Sequence, residues 1–190
     1  MAQALIYEIT NAGLAEAARL TEQGKPLRFT KLAIGSGRDN ADGGREGYAP
    51  IGNEIALENE FARFSIGSIS RVGRELFLEA IYEGTKSGWV REVALILEGA
   101  SGQDIVFAVW SSPEFNIGFA TGDQPFLFME TVELTRVPTD QIDVTAAAPS
   151  LQLLFIGPII ANAVELLRLQ GQQLTTSVAI LTPQIQSTWR

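Results

Sequence analysis

The sequence contains no cysteine and no histidine. Without cysteine the chain has no disulfide, no thiolate nucleophile and no cysteine-based metal site. Without histidine it lacks the usual general base and the commonest nitrogen ligand of metals. These absences exclude Ser-His-Asp and Cys-His catalysis and typical zinc sites. We therefore expect no catalytic residue, no metal site and no cofactor.

Basic residues are also scarce. The chain has 14 lysines and arginines against 22 aspartates and glutamates, a net charge of −8. A nucleic-acid-binding protein needs a basic surface to displace counterions, so we do not expect that function. The N-terminus lacks the basic region of a signal peptide, and polar residues interrupt the most apolar window, Leu151 to Leu169. We expect a soluble protein that is made in the cytoplasm and does not insert into a membrane.

A heptad repeat occupies the C-terminal region. Seven residues recur alternately every four and three positions, and all but the glycine are apolar: Ile160, Val164, Leu167, Gly171, Leu174, Val178 and Leu181. This spacing is typical of the a and d positions of a coiled coil. Pro158 suits a first helical turn, and Pro183 marks the end. We predict a helix of roughly 35 Å in which the six apolar seam residues mediate oligomerisation.

The residues alone leave the partner of this helix open. Its seam can pack against copies of itself or against the rest of the chain. The positions that flank the seam carry almost no charge, which favours an interface of several helices over a two-stranded zipper. Valine at a with leucine at d favours dimers by the same rule. The pattern favours self-association without fixing the number of copies.

The part before this helix has the pattern of an α+β domain. Thr10 or Asn11 can cap one helix that ends near Gly24. Alternating apolar residues then predict mostly antiparallel strands, at Leu27 to Gly35, around Phe64 to Ile69, and in four further stretches: Leu76 to Tyr82, Trp89 to Leu97, Ile105 to Trp110 and Phe126 to Val137. We predict a body at residues 1–145 and a hinge with the oligomerisation helix at 146–190.

Two long segments carry no clear periodicity, Ser36 to Gly52 and Ser111 to Pro125. The first is rich in glycine, but it lacks the third glycine of a dinucleotide fingerprint and the lysine of a phosphate-binding loop. An EF-hand register with Gly43 at position six puts Arg38 at position one, and one with Gly44 there puts Pro50 in place of the glutamate at position twelve. We predict a mobile surface loop here, with contact to a partner as the alternative.

Several charged and aromatic residues could carry chemistry. Arg91 and Glu92 are adjacent charges within an apolar strand; we interpret them as an ion pair or a hydrogen-bonded charge that fixes a strand end. Four carboxylates could in principle supply the pair of a glycoside hydrolase: Glu79, Glu83, Glu92 and Glu130. Three aromatic residues could stack on sugars but suit a core better: Tyr82, Trp89 and Trp110. Sequence places no two carboxylates together, and we do not expect an enzyme.

Two blocks resemble the N-terminal domain of phage tail fibres, in the tail-collar fibre family of contractile-tailed phages. They are Thr10-Asn11-Ala12-Gly13-Leu14 and Gly88-Trp89-Val90-Arg91-Glu92-Val93, with the Phe29 to Gly37 stretch between them. The resemblance covers roughly residues 4 to 137. It implies a structural protein of the virion, whose body attaches a fibre to the baseplate and whose fibres are trimers. Family fibres usually continue for hundreds of residues, whereas about forty follow the domain here.

From the resemblance and the helix we expect a tail-fibre or fibre-adaptor subunit. It would be a homotrimer that binds a phage baseplate protein and, through its far end, a further fibre or receptor-binding protein. Its location would be the virion tail, after synthesis in the host cytoplasm. The alternative is a host-surface carbohydrate-binding module that uses one of the two long loops.

Overall fold

The computed structural model describes residues 5–73, 75–133 and 142. They form one helix and eleven strands. In chain order these are β1 Glu8–Ile9, α1 Asn11–Glu22, β2 Phe29–Gly35, β3 Arg38–Asp39, β4 Arg45–Glu46, β5 Glu60–Val72, β6 Glu75–Tyr82, β7 Gly88–Val90, β8 Glu92–Glu98, β9 Asp104–Ser111, β10 Gly118–Ala120 and β11 Phe126–Glu133.

Helix α1 begins where its capping residue predicts. Thr10 has an extended backbone, and its hydroxyl oxygen accepts a hydrogen bond from the Gly13 N–H. The same hydroxyl donates to the Val106 carbonyl oxygen at 2.6 Å, which ties the start of the helix to β9. At the other end Gly24 adopts a positive φ of 65°, as expected of a residue after a helix C-terminus. The predicted helix and both its ends are confirmed.

Close packing of α1 on the sheet depends on Gly13. A Cβ added there would lie 2.6 Å from the carbonyl oxygen of Phe107 and 2.7 Å from its Cα. The absence of a side chain lets the first helical turn touch the backbone of β9. Ala17 and Leu20, further along the same helix, are buried in the core.

The main sheet has seven strands in the order β1-β9-β8-β2-β5-β6-β11, and every neighbouring pair is antiparallel. Two small antiparallel ribbons, β3 with β4 and β7 with β10, stand beside it. The body is therefore α+β with one helix and a mostly antiparallel sheet, as predicted. The predicted coiled coil and the boundary at residue 145 lie outside the described residues.

The sheet buries apolar side chains on both faces. Its inner face packs against α1 and carries the larger core, which includes Leu32, Ile34, Val93, Leu95, Phe107, Leu76, Leu78, Phe128 and Val132. Its outer face carries a smaller cluster over β2, β8 and β9: Ala33, Ala94, Ile96, Val106 and Val109, with Leu57 from the segment before β5 packed on it. Strand β8 lies between β9 and β2 and is buried from Glu92 to Leu97, as expected of a strand with both faces covered.

Three parts of the sequence interpretation are wrong in detail. The strand predicted at Trp89 to Leu97 is two strands, because Arg91 stands between β7 and β8 and its N–H donates to the Gly35 carbonyl. The segment Ser111 to Pro125 contains β10, which pairs with β7. The segment Ser36 to Gly52 contains the β3–β4 hairpin. The two strand pairs, β3 with β4 and β7 with β10, are only two and three residues long, too short to show alternation in the sequence.

Candidate functional site

A buried carboxylate organises the region beside the start of β8. Glu92 is completely inaccessible to solvent, on the outer face of the sheet. A buried charge is costly unless hydrogen bonds compensate for the lost water. The donors that surround Glu92 therefore decide whether its position is stable.

Four donors satisfy both carboxylate oxygens of Glu92. Oε1 accepts from the backbone N–H of Asn59 at 2.8 Å and of Gly37 at 3.2 Å. Oε2 accepts from the Glu58 N–H and from the Tyr48 hydroxyl, each at 3.0 Å. The donors come from three places in the segment between β2 and β5. One carboxylate thus fixes this long connection to the sheet.

The Tyr48 hydroxyl stays protonated and therefore can donate to Glu92. Burial, followed by the nearby charge of Glu92, raises the pKa of Tyr48 far above its usual value. The backbone of Tyr48 is held as well, because its N–H donates to the Ser111 hydroxyl at 3.0 Å. That hydroxyl in turn donates to the Arg91 carbonyl at 2.7 Å. The segment that the sequence analysis assigned to a surface loop is anchored by side chains on β8 and β9.

Gly35 leaves the space that the Glu92 side chain occupies. A Cβ at position 35 would overlap Glu92 Oε1 and would lie 2.7 Å from the Asn59 carbonyl oxygen. The Gly-Ser-Gly stretch therefore serves a carboxylate of this chain. Gly35 and Gly37, which do not complete a dinucleotide-binding motif, are explained by their contacts with this carboxylate.

The structure decides between the two interpretations of Arg91 and Glu92. Glu92 is a hydrogen-bonded charge at a strand end, as one of them predicted. Arg91 is half-buried, and its guanidinium lies 3.5 Å from the Ser36 carbonyl oxygen. The Arg91 side chain therefore adds a second, weaker contact to the same connection.

Glu79, Glu92 and Glu130, three of the four carboxylates of the glycosidase hypothesis, do not form a pair. Glu79 and Glu130 lie on opposite faces of the β6–β11 pair, since their register partners are Met129 and Leu78. Glu92 is enclosed by its four donors. The described part has two open clefts, of about 280 and 340 Å³. Arg28 and Glu98 line both clefts, and none of these four carboxylates lines either one.

The three aromatic residues divide between core and surface. Tyr82 and Trp110 are buried, as the more common interpretation expected. Trp89 is 47% exposed, and it packs edge-to-face on Phe119, which is equally exposed, with ring centroids 5.3 Å apart. The two residues are directly opposite on the β7–β10 ribbon. This aromatic pair is a candidate contact surface.

The predicted oligomerisation residues lie outside the described residues: Ile160, Val164, Leu167, Leu174, Val178 and Leu181. Sequence reasoning missed Tyr48, Asn59 and Phe119, which complete the two features described above. Tyr48 is a lone aromatic residue in a glycine-rich segment, and that composition was the available signal. Nothing local in the sequence pairs it with Glu92, 44 positions away.

Comparison with known proteins gives no match. No family model, curated protein or solved structure matches the chain. In the part of the chain that the structure describes, no helix is long and apolar enough to cross a membrane. The same residues contain no group of three or more side chains of the usual metal-binding types arranged around one point.

Proposed function

We propose that the protein is a structural component of a phage virion: a tail-fibre or fibre-adaptor subunit. Its body would attach to a baseplate protein, and its C-terminal helix would hold three copies together. Synthesis would take place in the host cytoplasm and assembly at the tail. In this proposal the protein has no catalytic activity and no cofactor, and its far end presents a further fibre or receptor-binding protein.

One observation carries the proposal. The residues that carry the resemblance to tail fibres occupy positions on which the described fold depends. Thr10 and Gly13 set the start of α1 and its contact with β9, and Gly35 and Glu92 form the buried anchor of the β2–β5 connection. A helix cap, a close backbone approach and a buried carboxylate each restrict the residue type at their position, so proteins of one fold are expected to have similar residues there. This agreement supports a fold in common with fibre attachment domains.

The aromatic pair supports a role in attachment. Trp89 belongs to the Gly-Trp-Val-Arg-Glu-Val block, yet its side chain is half exposed and serves the core little. Its strand is tied to the sheet at one end, because the N–H of the next residue, Arg91, donates to the Gly35 carbonyl and the anchored Glu92 follows. Exposed tryptophans on rigid elements are frequent energetic centres of protein interfaces. Three copies of such a contact in one trimer would reinforce one another through a high effective concentration.

Absolute mass in solution tests the trimer. Light scattering should give about three times the chain mass of 20.6 kDa for the full chain. A truncation after Ser150 removes all six seam residues and should give a monomer with the same circular dichroism for the β body. A second truncation, after Thr182, keeps the seam and serves as the matched control. A monomeric full chain would contradict the fibre proposal.

Carbohydrate binding is the second candidate function. The observation that favours it is the exposed Trp89–Phe119 pair, because Phe119 lies in one of the two long segments named for sugar contact. Exposed aromatic rings can stack on the apolar faces of sugars. A glycan array should then give binding that Trp89→Ala abolishes and that Phe77→Ala, an exposed aromatic on β6, leaves intact. Absence of binding to any glycan would remove this candidate.

A further inference from the structure

The larger of the two clefts, of about 340 Å³, is a gap between β2 and β5. The pairing of these strands begins at Lys31 and Ser65, and before Lys31 the two strands diverge. One wall of the cleft comes from the start of β2 and the other from the second half of β5. The wall residues are Arg28, Phe29 and Thr30 on the first side and Ile66, Ser68 and Ile69 on the second.

Both strands turn an unpaired edge toward this gap. On the other edge of β2, Phe29 pairs with Leu97 of β8, and the Glu98 N–H donates to the Arg28 carbonyl at 2.9 Å. From Ile66 onward, the other edge of β5 pairs with β6. No described strand lies between β2 and β5. Main-chain groups inside a sheet need partners, so the gap suits one more strand.

Ile142 lies at the entrance of the gap. It forms a parallel bridge with Leu27, two residues before β2. Leu27 is fully buried and Ile142 is 6% exposed, and both belong to the larger core. A strand has two edges, and β8 occupies one edge of this stretch, so Ile142 lies at the edge that faces β5. The chain at Ile142 therefore runs in the direction of β2, toward Phe29 and Thr30.

The sequence after Ile142 alternates as this gap requires. Continued in the same parallel register, Val144 would come beside Phe29, whose side chain lies in the larger core. Thr145 would come beside Thr30, which is half-buried on the outer face. Residues in register share a face of the sheet, so valine would enter the core and threonine would stay outside it. Isoleucine, valine and threonine are also the residues that strands prefer.

Charge and length agree with the same register. Asp143 would come beside the exposed Arg28, and opposite charges on neighbouring strands are favourable. An exposed ion pair contributes little stability, so its main effect here is on the choice of register. The gap closes at Lys31, where β2 pairs with β5. The added strand must therefore end at Thr145.

We propose that the gap between β2 and β5 is the docking site of residues 142–145 of this chain, which add a strand there. This strand fastens the C-terminal region, residues 146–190, to the middle of the sheet. A load on that region then acts on β2 and β5, whereas β11, the last strand before it in the chain, stands at the edge. The inference does not rest on the proposed function. A monomeric full chain would contradict the fibre and leave this strand in place.

Disulfide trapping tests the register, and the absence of native cysteine makes it specific. Thr30→Cys with Thr145→Cys would join residues that are directly opposite on the outer face, at a separation that suits a disulfide. Thr30→Cys with Ala146→Cys is the matched control, because a shift of one residue moves the second thiol to the other face. Copper phenanthroline should consume both thiols of the first pair in the full chain and leave those of the control free. On a non-reducing gel the link should lie within one chain.

Substitutions on the two faces give an independent readout. Val144→Asp would place a carboxylate in the core and should lower the urea midpoint of the full chain. Thr145→Asp would lie on the outer face and should leave the midpoint nearly unchanged. If Val144→Asp fails to fold, the disulfide pair still decides the question.

Three results would overturn the proposed strand. They are a first cysteine pair that stays reduced, equal cross-linking of the two pairs, and equal urea midpoints for Val144→Asp and Thr145→Asp. A link of the first pair between chains would assign the gap to the strand of a second copy and would overturn the assignment too. A link within one chain that the control pair lacks would establish both the strand and its register.

Discussion

Replacing Glu92 by glutamine tests whether the buried carboxylate holds the β2–β5 connection. The amide of Gln keeps the shape of the side chain but offers one accepting oxygen in place of two. If that oxygen takes the place of Oε1, it still accepts from Gly37 and Asn59. The NH₂ group then faces the donors of Oε2, the Glu58 N–H and the Tyr48 hydroxyl.

The cost follows from these donors. The Tyr48 hydroxyl can rotate and accept a bond from the amide, but the Glu58 N–H cannot and loses its acceptor. A partly buried donor without a partner costs about 1–3 kcal/mol. The two remaining bonds lose the assistance of the charge, which roughly doubles the strength of a hydrogen bond. Glutamine avoids the penalty for burying a charge, so we expect a net loss of about 2–3 kcal/mol in unfolding free energy.

Urea denaturation measures this loss. The midpoint should be followed by tryptophan fluorescence and circular dichroism at one fixed protein concentration, because self-association would make stability depend on concentration. Glu83→Gln, at an exposed position after β6, is the matched control and should stay within about 0.5 kcal/mol of the original chain.

A double-mutant cycle sharpens the result. Tyr48→Phe removes one donor of the same carboxylate, so its effect and that of Glu92→Gln should not add, with a coupling of about 0.5–3 kcal/mol. If Glu92→Gln changed stability by less than about 0.5 kcal/mol, the four hydrogen bonds would merely offset the cost of burying the charge. The anchor would then contribute no net stability, and the reasoning would be refuted.

Two further substitutions test the close packing at Gly35 and the burial of Glu130. Gly35→Ala should destabilise the body by about 1–3 kcal/mol, since its Cβ would meet the Asn59 carbonyl oxygen at 2.7 Å. At Gly44 the nearest atom lies at 3.4 Å, so Gly44→Ala should cost less than about 1 kcal/mol. Equal urea midpoints for the two variants would contradict this. Burial raises the pKa of Glu130, so the folded chain holds this proton to higher pH than the unfolded chain, and stability falls as pH rises from about 4.5 through the folded pKa. Glu130→Gln should therefore raise the urea midpoint more at pH 7 than at pH 4. The control Glu83→Gln should raise it at neither pH. An equal gain from Glu130→Gln at both pH values would count against the buried position of the carboxyl group.

Local patterns allowed much of the fold to be predicted. Thr10 and Gly24 delimit the helix through contacts within a few residues, and the alternation of Leu76, Leu78 and Tyr82 follows directly from burial of one face of β6. Such signals need no knowledge of distant residues. The helix, the main strands and their mostly antiparallel pairing could therefore be predicted.

The site depends on long-range contacts that the sequence does not display. Glu92 takes its donors from Asn59 and Tyr48, 33 and 44 positions away, and no periodicity links them. Sequence alone could say that a charge in an apolar strand needs partners, and it could not say which. Phe119 is the neighbour of Trp89 only through the pairing of β10 with β7, which no local pattern in the sequence indicates.

The position of β1 at the edge beside β9 determines the order in which the chain can fold. The Thr10 hydroxyl bonds to Val106, 96 residues later, and α1 packs on β9. On the ribosome, β2, β5 and β6 can pair soon after they emerge, but β1 and α1 have no sheet to join until β9 is made. Pairing over such separations is slow. The apolar side chains of Tyr7, Ile9 and Leu20 are therefore exposed longest in the nascent chain, and a chaperone would find its binding segment there.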